Sequence, residues 1–379
     1  MERKGKRSVG ETTIKKGSGK ETAGVEILTE DRWLDHISTA PAIAGQPIKL
    51  FVRERRRADW HGVQDGKIVL MVHGGFWPGS LAFDFPHEDY SWMEFLARAG
   101  WDVFTVDMTG YGKSSRPLMD DPRNLDPKQQ PLLGPHVLKE PAPATDPFQL
   151  VTSDSESDDI DRVVDFIREL RGVDRIALLG WSGGGCRVGS YTFRHPDKVR
   201  KLVIYASSNY VRNSSSEPPT KLPVPGFPVQ MQTRAGMDNE RWNAVLSHER
   251  QVAPGIQDLS WRLCMESDPI GATWGGLRGP TRTYWGWNAR TAAQLKQPTM
   301  IMIGANDRLL SANRDLYEDL GASVKSLVEI DHATHFAQWE MQRHLLHRLS
   351  LAWLENTTVG AAGLGRFRAD EHGHLSPMN

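Results

Sequence analysis

Ile176-Ala-Leu-Leu-Gly180-Trp181-Ser182-Gly183-Gly184 decides the reading of this chain. Residues 176–179 form a short, unbroken apolar run, the pattern of a strand buried on both faces, as in a parallel sheet. A glycine-rich turn follows and opens a helix expected to reach His195. A serine held in G-x-S-x-G between a strand and a helix has the form of a nucleophile elbow. The flanking glycines leave room for a sharp turn that lifts Oγ above the sheet, and the helix N-terminus offers backbone N–H groups to negative charge. The pentapeptide alone is a weak signal in a chain with 35 glycines. Its strand–turn–helix setting gives it weight.

Working outward, strands and helices alternate. Strands are expected at 49–53, 68–72, 103–106, 199–205, 299–303 and 326–330, and helices at 91–99, 155–170, 312–320 and 337–354. Such alternation implies a mostly parallel sheet flanked by helices. The charged run 55–57 is expected to end a hairpin near Asp65-Gly66. Residues 116–148 are rich in Pro, Asp and Gln and read as a long loop, a kind that is usually functional or mobile. The rhythm breaks again over 209–293, a Trp-containing stretch with a Pro-rich entry and a Gly-rich exit. It reads as an inserted, mostly helical cap. The expected organisation is a disordered tail over 1–24, a core over 25–208 and 294–356, the cap over 209–293, and a flexible C-terminal tail over 357–379.

Partners for Ser182 follow in the chain. Gly304-Ala-Asn-Asp307 comes directly after the strand ending at Ile303, so Asp307 lies at the carboxyl edge of the sheet. Asp331-His332-Ala-Thr-His335-Phe336 comes after the next strand. In the order serine, acid, histidine, His335 takes the proton from Ser182, and Asp307 fixes the imidazole tautomer. Asp331 is too close in sequence to serve as the acid, and His332 is the lesser candidate for the base.

Taken together, these pieces resemble the α/β-hydrolase superfamily over roughly residues 45–355. The matching segments are His73-Gly74-Gly75-Phe76, Asp107-x-x-Gly110-x-Gly112-x-Ser114, the elbow at Ser182, Asp307, and His335-Phe336. The resemblance implies an α/β-hydrolase fold and a Ser182–His335–Asp307 triad. It also implies an oxyanion hole built from Gly75 or Phe76 together with Gly183. Phe76 stands where the strict HGGG pattern has its third glycine, which leaves the loop donor open. His73 reads as a brace for its loop. Trp77 and Trp181, with Trp274, Trp285 and Trp287 of the cap, are the expected substrate-binding residues.

Composition limits the alternatives. The chain has 379 residues, a net charge of −1, 39% hydrophobic and 25% charged residues, and two cysteines. These values fit a soluble globular protein and offer no field for nucleic acid or an anionic membrane. No apolar run is long enough to span a bilayer, and two distant thiols make no disulfide framework, so a cytoplasmic setting is expected. Gly112-Lys113-Ser114 ends like a P-loop, but Asp107 stands where that motif needs glycine. No Cys/His cluster suggests a metal site, and no cofactor is expected. The expected activity is hydrolysis of a carboxylic ester or lactone of a small, apolar or aromatic molecule. An amidase or C–C bond hydrolase using the same triad is an alternative, as is a non-catalytic small-molecule receptor. The expected partner is a small molecule, with no nucleic acid or membrane, and a homodimer is left open.

Overall fold

The computed structural model describes residues 12–13, 24–62, 66–222 and 226–378. Its centre is a mixed sheet of eleven strands. In chain order we number β1 Ile27–Ile37, β2 Pro47–Arg57, β3 Ile68–Val72, β4 Asp102–Asp107, β5 Ile176–Trp181, β6 Val199–Tyr205, β7 Thr299–Gly304, β8 Lys325–Ile330, β9 Gly365–Ala369 and β10 His374–Pro377. Across the sheet the order is β10-β9-β8-β7-β6-β5-β3-β4-β2-β1, with Thr12–Thr13 pairing outside β10. Strands β3 to β9 run parallel, while β1, β2 and β10 are antiparallel to their neighbours. Every residue of β3, β4, β5 and β7 is buried, which explains their near-continuous apolar sequences.

Helices α1 Trp92–Arg98 and α6 Arg343–Asn356 pack against each other. A separate row is formed by α2 Ser153–Arg171, α3 Gly183–Arg194, the short α4 Ala289–Ala292 and α5 Leu310–Asp319. The ends of α2 follow from its sequence. Thr152 caps the N-terminus, Asp154 and Glu156 sit in the first turn, and Gly172 closes the C-terminus with φ 64°.

Three expectations need correction. The C-terminal stretch 357–379, expected as a flexible tail, supplies β9 and β10. Phe367, Ala369 and Leu375 are buried there, and β9 extends the parallel ladder beside β8. Its short strands carry too few apolar residues to stand out in sequence. The run 55–57 does not lead into a hairpin with residues 68–72, because β2 pairs with β1 and β4. Residue 65, at the expected turn, lies outside the described residues, as do most of residues 1–24. The 116–148 loop is also packed. Met119, Leu125, Leu133 and Leu150 form a second small core with Val229, Met231 and Trp274 of the excursion between β6 and β7.

That excursion carries the helices Ile256–Ser267 and Pro269–Trp274 and an antiparallel pair, Val229–Gln232 with Leu277–Pro280. Just after that pair, Arg282–Thr283 pairs in parallel with Val151–Thr152, immediately before α2. Among the described residues, no helix is long and apolar enough to cross a membrane.

Candidate active site

The sheet changes direction between β3 and β5, since the chain runs from β3 to β4 on one side and returns to β5 on the other. Crevices form at the carboxyl ends of strands at such a switch point. The loop 73–77 leaves β3 there, and Ser182 leaves β5. Ser182 has φ 56° and ψ −120°, a conformation costing on the order of 1–3 kcal/mol for a non-glycine residue. Three hydrogen bonds hold it in place. Its N–H donates to the Tyr205 carbonyl at 2.9 Å, and its carbonyl accepts the N–H groups of Gly185 and Ser208, each at 3.0 Å. The turn demands glycine at 184, where a Cβ would collide with the Val72 carbonyl.

Asp307 follows β7 and is buried, and His335 follows β8 and is partly exposed. His335 Nδ1 lies 2.8 Å from Asp307 Oδ2, and Asp307 Oδ1 accepts the Leu309 N–H at 2.9 Å. Trp181 Nε1 donates to the His335 carbonyl at 2.9 Å, tying the histidine loop to the elbow. The rejected neighbours point elsewhere: Asp331 pairs with Arg368 at 2.6 Å, and the His332 ring faces His248.

A cavity of about 510 Å³ opens over these residues. Ser182, Asp307 and His335 line it, together with Gly75, Phe76, Trp77 and Trp181. Phe76 has φ 68°, and the Trp77 N–H is committed to the Gly75 carbonyl at 2.9 Å. Three expected binding residues are elsewhere. Trp274 belongs to the second core with its ring 5.0 Å from the Arg278 guanidinium, Trp285 donates to Asp154 at 3.2 Å, and Trp287 is buried near Tyr210.

A family model described as the alpha/beta hydrolase fold matches residues 67–341. The chain belongs to the α/β hydrolase fold family. A thermophilic esterase from Thermogutta terrifontis matches with a TM-score of 0.51 at 15% identity, over 86% of this chain and 99% of that one. The 2-hydroxy-6-oxo-6-phenylhexa-2,4-dienoate hydrolase of a Rhodococcus species matches with a TM-score of 0.50 at 14% identity, over 86% and 100%. At these identities the shared property is the fold. In sequence, the poly(3-hydroxyalkanoate) polymerase subunit PhaC of Allochromatium vinosum is 54% identical over 44 residues, 12% of each chain.

The segments at His73 and Asp107 brace the loops beside Ser182. His73 is buried, with Nδ1 2.7 Å from the Gly74 carbonyl and Nε2 accepting the Met108 N–H at 3.1 Å. Burial, reinforced by Arg187, keeps its imidazole neutral, well below the usual histidine range. Asp107 accepts the N–H groups of Ser80 at 2.9 Å and Lys113 at 3.0 Å, which accounts for the Asp107–Ser114 motif as a buttress.

The sequence reading missed a buried charge cluster. Arg187 Nη2 donates to Glu156 Oε1 at 2.6 Å, and its Nη1 reaches the carbonyls of His73 at 2.6 Å and Gly74 at 3.2 Å. Burial alone would raise Glu156, but Arg187 and Arg282 hold it below the ordinary carboxylate range. A signal was available: Arg187 interrupts an otherwise small and apolar helix start five residues after Ser182.

Proposed function

We propose that the protein is a serine hydrolase that cleaves a carboxylic ester or lactone of a small molecule through an acyl-Ser182 intermediate. The observation that carries this reading is the 2.8 Å Asp307–His335 contact on the rim of the cavity that Ser182 also lines. With Nδ1 bound to Asp307, the Nε2 of a neutral His335 is a base. It takes the Ser182 proton as Oγ bonds to the carbonyl carbon. The oxyanion meets the Gly183 N–H and an N–H of Gly75 or Phe76, since that of Trp77 is committed. The C–O bond then breaks, and His335 hands its proton to the departing alcohol. Water, deprotonated by His335, attacks the acyl carbon, and Ser182 recovers its proton as the acid leaves. Phe76, Trp77, Trp181 and Phe336 give the cavity apolar walls, which favour compact acyl groups.

The test is a fluorophosphonate probe together with a panel of 4-nitrophenyl esters and anilides. We expect one adduct, at Ser182, with short or aromatic acyl esters turned over faster than C16 esters and anilides. Ser182→Ala should lose roughly 10³-fold or more in kcat/KM. A folded wild-type protein that takes no adduct at Ser182 overturns the proposal.

A further inference from the structure

The cavity carries an imbalance of charge that ester cleavage by Ser182 does not use. Its lining includes three arginines, Arg241, Arg282 and Arg308, and one carboxylate, Asp307, which is already bonded to His335. Arg241 and Arg308 are exposed at the mouth, and among the described residues neither makes an ion pair.

Arg282 is the deeper group, its side chain only 10% exposed. The pairing of Arg282–Thr283 with Val151–Thr152 fixes its backbone one turn from Glu156 on α2. Yet Glu156 serves Arg282 poorly. The same carboxylate oxygen bonds Arg187 at 2.6 Å and lies 3.4 Å from Arg282 Nη1. Two guanidiniums therefore share one carboxylate, leaving one positive charge in excess where desolvation makes an unpaired charge costly. Tyr284 stacks under the Arg282 guanidinium at 4.8 Å, closing that face, and the Arg282 side chain lines the cavity. The guanidinium also reaches the elbow. A methyl on Gly183 would stand 3.2 Å from Arg282 Nη1 and 3.4 Å from Nη2, and one on Gly75 would stand 3.9 Å from Nη2.

We infer that the substrate is an anion, an ester that also bears a carboxylate, and that Arg282 receives this carboxylate beside Ser182 while Arg241 and Arg308 draw it to the mouth. The inference rests on the hydrolase reading above and narrows its substrate from apolar to amphiphilic: an apolar body against the aromatic walls with one carboxylate at Arg282. The planar guanidinium fork suits a carboxylate in two-point contact.

Two matched pairs of esters test it. One places the charge on the acyl side, 4-nitrophenyl hydrogen adipate against its methyl-capped form. The other places it on the leaving group, 4-acetoxybenzoate against its methyl ester. At least one pair should show a tenfold or greater kcat/KM preference for the anion. Arg282→Gln should bring that ratio to within about threefold of unity, and Arg282→Lys should retain part of it. In a parallel arm, glutarate should slow fluorophosphonate labelling of Ser182 in the wild type, less so in 0.5 M salt and not in Arg282→Gln. Turnover without anion preference, or a preference that Arg282→Gln leaves intact, overturns this inference and spares the hydrolase. Equal losses on charged and neutral esters would make Arg282 an architectural or oxyanion-side group and also overturn it. Absence of both turnover and labelling removes the hydrolase reading first.

Discussion

Asp307→Asn isolates what the acid does, because the surrounding hydrogen bonds dictate how the new amide sits. In the wild type Oδ1 accepts the Leu309 N–H at 2.9 Å and Oδ2 faces His335 Nδ1 at 2.8 Å. An asparagine has one acceptor and one donor. If its oxygen stays on Leu309, its NH₂ points at Nδ1, and the imidazole must carry its proton on Nε2, where it cannot take one from Ser182. If the amide flips, Nδ1–H is satisfied but two donors meet at Leu309, at a cost of about 1–3 kcal/mol. In either orientation the charge that steadies the imidazolium is gone. The combined loss should be about 10³–10⁴-fold in kcat/KM, or about 4–5.5 kcal/mol. The assay is 4-nitrophenyl butyrate turnover across pH, alongside the rate of Ser182 labelling by the fluorophosphonate. Both rates should fall together while thermal stability changes little. A variant within tenfold of wild type would refute the assignment of Asp307 as the orienting acid.

Two further outcomes test the scaffold. Arg187→Met strands Glu156 with only the 3.4 Å contact to Arg282 and removes the donor to the carbonyls of His73 and Gly74, so it should cost about 3–5 kcal/mol in urea unfolding. A loss below about 1 kcal/mol would show that the cluster is not braced by Arg187. His347 lies buried between the rings of Trp92 and Phe95, and burial, then its cationic neighbours, lower its pKa to about 3. The unfolded chain therefore binds a proton that the folded one refuses between about pH 6.5 and 3, and stability is lost as pH falls through that window, by up to about 1.4 kcal/mol per pH unit. His347→Phe should flatten the stability–pH slope between pH 4 and 6 relative to wild type, and an unchanged slope would refute the buried neutral imidazole.

Legibility in sequence followed the range of the interactions involved. The elbow, Asp307 and His335 could be read because each directly follows a buried parallel strand, and those strands announce themselves as unbroken apolar runs. β1 and β10 could not, since antiparallel strands at the margins of the sheet, such as 27–37, mix charged and apolar residues and carry no such unbroken run. The tryptophans misled for a related reason. Composition suggested a cleft lining, but Trp287 and Trp274 complete packed interiors, and their destinations depend on contacts with α3 and with the 116–148 loop. Arg282 was hidden by the same distance: Glu156, the carboxylate it shares with Arg187, lies 126 positions away.

One buried carboxylate ties the excursion to the chemistry. Glu340 accepts Trp242 Nε1 and Gln251 Nε2, each at 2.9 Å, from the excursion, and the Thr334 N–H at 3.0 Å and its hydroxyl from the loop that carries His335. Burial pushes Glu340 above the usual carboxylate range, and these four donors act against that shift. Trp242 in turn stacks on Phe336, which follows His335, with ring centroids 4.7 Å apart. The excursion and the candidate base thus share one hydrogen-bonded node, and a shift of residues 242–251 would be felt at His335 before it reached Ser182. Ser182 itself is fastened to Tyr205 and Ser208 at the end of β6, so its position depends on the sheet. The candidate nucleophile is set by the sheet and the candidate base by the part that differs most from a bare parallel sheet. Changes in the excursion should therefore alter proton transfer and substrate choice while leaving the elbow intact.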